Sequence, residues 1–250
     1  MKPAPLPRWL ADDSPPRVGV SACLLGREVR HDGGHKRADS LVEALGPRVE
    51  WVPVCPEVEL GMGVPRPPIR LERRAGELRL VEPGSGADHT RAMSRFAARR
   101  VRELAALGLS GYVLKSGSPS CGMERVRVRR ANGSSLRNGR GMFAAALLAR
   151  LPGLPVEEEG RLADAALRES FAVRVFAYRR LREFFRGRWT IGELVEFHGA
   201  HAPLFAVHSR ADQRALGRLV ARASEHRRGE LRERYTSRFM AALARTERRA

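Results

Sequence analysis

VGVSACLLGREVRHDGGHK, residues 18–36, opens on valines around a glycine and closes on a glycine turn. A short β-branched run bounded by turn residues reads as a buried strand, here residues 17–22, delivered straight into Cys23. The pattern recurs twice. EWVPV, residues 50–54, ends directly at Cys55-Pro56, and GYVL, residues 111–114, runs into KSGSPSCG with Cys121. Between these runs, residues 90–108 carry Met93, Phe96, Ala97, Val101, Leu104 and Leu107 at helical spacing, and residues 39–45 form a shorter amphipathic stretch. Strands alternating with helices predict an α/β domain with a parallel sheet. Each cysteine then lies just past the carboxyl end of a strand, where open α/β sheets bind their ligands. Three thiols spread over a hundred residues are expected to meet in one crevice.

The texture changes near residue 161. Gly153, Pro155 and the acidic run Glu157–Glu159 read as a linker, and helical patterns follow at 161–186, 190–198 and 211–246 with no strand among them. The expected division is an α/β domain over residues 1–155 and an all-α domain over residues 161–250. The longest apolar run, Met142 to Ala149, is eight residues, too short to span a bilayer, and the proline-rich start resembles no secretory signal. A cytoplasmic protein without a membrane partner is therefore expected.

Net charge is +18, divided as +8 over residues 1–160 and +10 over the last 90. A genome rich in G and C explains arginine over lysine, but not the shortage of acids. The field favours a polyanion, nucleic acid first.

Three cysteines without a secretory segment argue against a disulfide framework. Three readings stay open: buried small hydrophobes, ligands of an iron–sulfur cluster with one open iron, or zinc ligands completed by one of seven histidines. Glu57 stands two residues from Cys55, and Ser118 and Ser120 flank Pro119 before Cys121. A carboxylate and a hydroxyl beside an open metal position would make a proton-transfer pair. Their plain alternatives are a surface carboxylate and a turn-capping hydroxyl. Asp32-Gly33-Gly34 forms a turn leading to His35 and Lys36. His198, His201 and His208 share a helical face, but Pro203 is expected to interrupt that helix, so they read as structural or RNA-contacting rather than metal-binding.

Together VSACLLGREVRHDGGHK, PVCPEVELGMGVPRPPIRL and LKSGSPSCG resemble the thiouracil desulfidase (TudS-like) family, over residues 17 to about 150. FHGAHAPLFAVHS and RALGRLVA resemble the YbgA-like helical domain fused to it in RudS-type desulfidases, which act on 4-thiouridine in tRNA. The resemblance implies a [4Fe-4S] cluster held by Cys23, Cys55 and Cys121, with Glu57 and Ser118 handling protons. It implies hydrolytic loss of sulfur as hydrogen sulfide from a thiolated pyrimidine, carried by tRNA or another RNA, or free as a small molecule. The rival class is a non-enzymatic iron–sulfur protein that binds RNA. Two departures stand out. Ala202 follows the second histidine of FHxxH where relatives carry lysine, and the chain is expected to end with its helical module abbreviated.

Overall fold

The computed structural model describes residues 14–244, excluding the side chains of 206–208. Elements follow in the order β1 (Arg17–Ser21), α1 (Asp39–Leu45), β2 (Glu50–Val54), α2 (Pro56–Glu59), β3 (Arg70–Arg74), β4 (Glu77–Val81), α3 (Thr90–Ala106), β5 (Gly111–Leu114), β6 (Val126–Arg129), β7 (Ser135–Gly139), α4 (Met142–Arg150) and β8 (Val156–Glu158). Four α-helices follow among the described residues: α5 (Ala165–Phe184), α6 (Ile191–His208), α7 (Arg210–Ala221) and α8 (Arg228–Ala244). Two compact units result, one of residues 15–169 and one containing residue 170 onward.

The first unit holds the expected parallel sheet, in the order β2-β1-β5-β8. Pairing sets Ser21 opposite Val54 and Val20 opposite Val113, so β1, β2 and β5 end at one edge. The chain steps from β1 outward to β2, then returns to β5 on the other side of β1. That reversal opens a crevice outside the carboxyl ends of β1 and β5. Val18, Val20, Val54, Val113 and Leu114 are fully buried in the sheet. Met93, Phe96, Ala97, Val101 and Leu104 form the buried face of α3, as their spacing predicts, whereas Leu107 falls past the end of the helix and stays exposed. Gly19 is required by packing, because a Cβ there would lie 2.2 Å from the Tyr112 ring.

Two expectations are corrected. Glu157–Glu159 is no linker: β8 pairs in parallel with β5, and Val156, Glu157 and Glu158 are all buried. Backbone amides and cationic side chains donate to the carboxylates there, which is why an acidic run can close a sheet. The unit accordingly extends to residue 169 rather than 155. There is also a second sheet, β4-β3-β6-β7, with an antiparallel hairpin at each end and a parallel β3–β6 pairing between them. Three of its strands bury only two residues each, as β6 does with Val126 and Val128, and β7 buries none, so the hydrophobic pattern is thin.

The second unit is all helical, built on an aromatic core of Phe184, Phe185, Trp189, Phe197, Phe205, Tyr235 and Phe239. Phe184 stacks on Phe197 at 4.6 Å, and Phe205 meets Phe239 edge-on at 5.0 Å. Thr190 and Glu193 form a capping box that starts α6. The helix then continues through Pro203 to His208, correcting the expected interruption. Proline removes one backbone donor, and aromatic packing on both sides of it outweighs that loss. The stretch expected as one helix over 211–246 is two, divided by a turn at Ala223–Glu225; residues 245 and 246 lie outside the described residues. No described helix is long and apolar enough to cross a membrane.

Candidate active site

Cys23 lies in a single 3-10 turn, Ala22–Leu25, immediately after β1. Its carbonyl accepts the Lys36 amide at 3.0 Å, which closes the loop of residues 24–35 at its base. Cys55 follows β2 directly and caps α2, with its Sγ 3.6 Å from the Val29 carbonyl. Cys121 comes seven residues after β5, in a loop gripped from three directions. Ser118 Oγ accepts the Ser120 and Cys121 amides at 3.1 and 3.0 Å. The start of α4 donates from Met142 to Pro119 and from Phe143 to Ser120. Gly141 makes that approach possible, since a Cβ on it would lie 2.4 Å from the Ser120 carbonyl oxygen.

The third grip is the acidic end of β8. Glu158 Oε1 accepts the Met123 amide at 2.7 Å, beyond Cys121. Glu159 binds the near side: Oε2 accepts the Ser116 amide at 2.7 Å, and Oε1 accepts the Ser116 hydroxyl at 2.7 Å and the Lys115 ammonium at 2.5 Å. Burial holds the Glu158 carboxyl above its ordinary range. Of 46 basic side chains only three are lysines, and two of these, Lys36 and Lys115, line the crevice. A compact ammonium fits the tight Ser116–Glu159 site, where a planar guanidinium fork would not.

These loops enclose a cavity of about 580 Å³ lined by Cys23, Cys55 and Cys121 together with Glu57 and Ser118. All three cysteines are free thiols. Glu57 is not the surface carboxylate of the plain alternative. Its Oε2 meets the Arg66 guanidinium at 2.7 and 3.0 Å, and its Oε1 accepts the Ser120 hydroxyl at 2.8 Å. Arg66 is 3% exposed in its side chain and also donates to the carbonyls of Gly63 and Val29. Ser118 fulfils its capping alternative and still faces the cavity. Having accepted two amides, its hydroxyl keeps its own hydrogen to donate.

Burial is the main force on the thiols. It pushes Cys23 up to about 11, with Cys55 adding to the rise, and it raises Cys55 and Cys121 as well. Thiolates in this setting need a positive centre among them. Soft sulfur donors suit zinc or iron–sulfur centres. A tetrahedral zinc site would hold its sulfurs roughly 3.8 Å apart, as a Zn–S bond of about 2.3 Å requires. Among the described residues, no three His, Cys, Asp or Glu side chains converge closely enough for a single metal ion. Three separated thiols around a roomy cavity fit a polynuclear group instead.

His35 turns away, with Nδ1 accepting the Arg37 amide at 3.2 Å, whereas Lys36 lines the mouth. Asp32 is paired with Arg30, whose guanidinium holds the carboxyl well below its usual range. His198 and His201 belong to the aromatic core: His201 stacks on Phe197 at 4.2 Å, and His198 Nδ1 lies 3.2 Å from the Tyr235 hydroxyl. The side chain of His208 lies outside the described residues. Sequence reasoning missed Arg66, Glu158 and Glu159. Arg66 sits in an unusual PRPP run, the one local sign that its backbone is constrained.

The sequence profile of the 2-thiouracil desulfurase family matches residues 18–159, which include all three cysteines and the Glu158–Glu159 pair. YbbK, an uncharacterized protein of Bacillus subtilis strain 168, is 30% identical over 150 residues, spanning 58% of this chain and 97% of that protein. A solved structure, the [4Fe-4S]-dependent thiouracil desulfidase TudS, is 38% identical over 62% of this chain and 98% of its own, with a TM-score of 0.49. With more than half its length matched by one profile, the chain belongs to the 2-thiouracil desulfurase family.

Proposed function

We propose that this desulfurase acts on 4-thiouridine in tRNA, that Cys23, Cys55 and Cys121 hold a [4Fe-4S] cluster, and that the helical unit binds the RNA. The observation that carries the reading is the crevice itself: three free thiols, Glu57 and Ser118 line one cavity at the ends of neighbouring parallel strands. When bound there, a cubane with three protein thiolates supplies a thiophilic, Lewis-acidic iron without a fourth protein ligand.

The rest of the chemistry falls to the chain. Replacing C=S by C=O consumes one water and releases hydrogen sulfide, with no net electron transfer. Water must lose a proton as it attacks the ring carbon, and Glu57 is placed to take it. Arg66 fixes one carboxylate oxygen and Ser120 orients the other, so the base is already aimed. Ser118 holds a hydroxyl hydrogen for the departing sulfur or the ring. The aromatic residues of the helical unit mostly lie in its core, which leaves its arginines as the RNA contacts. A thiolated base within folded RNA must leave its stack to enter the crevice.

The test is anaerobic reconstitution with iron and sulfide, then incubation with tRNA containing 4-thiouridine and, separately, with 2-thiouracil. Loss of near-ultraviolet absorbance with sulfide release from the tRNA supports the proposal. Sulfide from 2-thiouracil alone makes the free base the substrate. RNA binding without sulfide from either would point to a non-enzymatic role.

A further inference from the structure

The helical unit carries a second concavity, of about 300 Å³, between α7 and α8. Its lining includes Arg218 and Arg222 from the end of α7 and Arg234 and Arg238 from α8, above an apolar floor of Ala215 and Leu219. Each pair is spaced i,i+4, so each places two guanidiniums side by side on one helix face. Like charges in that arrangement repel. Counter-charge is sparse. Arg222 pairs with Glu225, the one acid in the lining, and Arg234 pairs with Glu230 outside it. Among the described residues, Arg218 and Arg238 have no carboxylate partner.

Four planar forks converging on a concave pocket suit phosphate oxygens, which guanidinium binds in two-pronged fashion. An apolar floor between the rows suits the sugar that separates two phosphates. A curved phosphodiester chain has both features; a flat anionic surface could not enter the concavity. We infer that the cleft between α7 and α8 binds the phosphodiester backbone of RNA, and that Arg218 and Arg238 are its principal contacts. This rests on the reading that RNA carries the thiolated base, and it names where that RNA is held.

The experiment measures binding and not sulfide release, so it is independent of the cluster. A fluorescent, unmodified tRNA transcript is titrated with the full chain at several salt concentrations. R218Q/R238Q is compared with R214Q/R227Q, which removes the same two charges from exposed positions outside the cleft. Circular dichroism and Tm verify that both variants fold. The cleft pair should lose about tenfold or more in affinity at 0.1 M salt. Its slope of log Kd against log salt should fall by about 1.4–1.8, the value for two phosphate contacts on a single strand or duplex. The control pair should lose less than threefold. Equal losses in the two variants would overturn the cleft while leaving RNA as substrate. A wild-type chain that fails to bind the transcript would overturn both.

Discussion

Glu159 engages Ser116 twice, accepting its amide on Oε2 and its hydroxyl on Oε1, each at 2.7 Å. With Glu158 on Met123, the last residue of β8 and the residue after it hold both flanks of the loop that presents Ser118 and Cys121. The end of the final strand of the sheet is thus a clamp on the loop that carries Cys121.

Glu159→Ala should free that loop and leave the Lys115 ammonium without its counter-charge, held only by the Ser116 carbonyl and hydroxyl. Losing those partly buried bonds costs about 1–3 kcal/mol, readable in urea unfolding. The visible absorbance of the reconstituted protein should also bleach faster in air than that of wild type. Unchanged unfolding and bleaching would show that the clamp does not position the loop.

Anaerobically reconstituted protein should contain about four irons and four sulfides per chain, the cubane stoichiometry. Cys23→Ala, Cys55→Ala and Cys121→Ala should each lose most of that content. Stoichiometric zinc without acid-labile sulfide would contradict the cluster assignment.

Glu57→Gln keeps the shape and removes the proposed base, so turnover per cluster should fall about 10²–10⁴-fold. The structure adds a second consequence. Arg66 loses its charge partner while buried, and breaking such a pair costs about 3–5 kcal/mol. Glu57→Gln with Arg66→Met should recover part of that stability without recovering turnover. Restored turnover in the double variant would assign Glu57 to structure.

Burial lowers the pKa of both His198 and His201. For a histidine depressed in the folded state, the unfolded chain takes up protons first. Stability is then fully present above the unfolded value near 6.5 and declines as pH falls from there through the lowered folded values. The Tm of the helical unit should fall between pH 7 and pH 5. His201→Phe should flatten that dependence, because the ring still stacks on Phe197 and no longer titrates. An unaltered slope would place the titration elsewhere.

Much of the site was legible in the chain because its signals are local. Strand runs that end at or a few residues before Cys23, Cys55 and Cys121 place three thiols beyond one sheet edge as soon as the sheet is parallel, and the spacing of α3 shows its buried face. Glu57 and Ser118 could be singled out by their distance in sequence from those cysteines. Other features depend on contacts that only folding makes. Glu157–Glu159 reads as a solvated linker until β5 pairs with it and the amides of Ser116 and Met123 receive its carboxylates. Arg66 reads as one arginine among many until folding buries it against Glu57 and removes competing water. Pro203 reads as a helix breaker until Phe197 and Phe205, on either side of it, are packed against α8. Local pattern determined where the three thiols stand, since strand ends and turns are set by neighbours in sequence. Only tertiary structure decided what grips their loops and orients Glu57, because these charges act through burial and through contacts that folding makes, from nine residues away for Arg66 and Glu57 to 63 for Ser120 and Glu57.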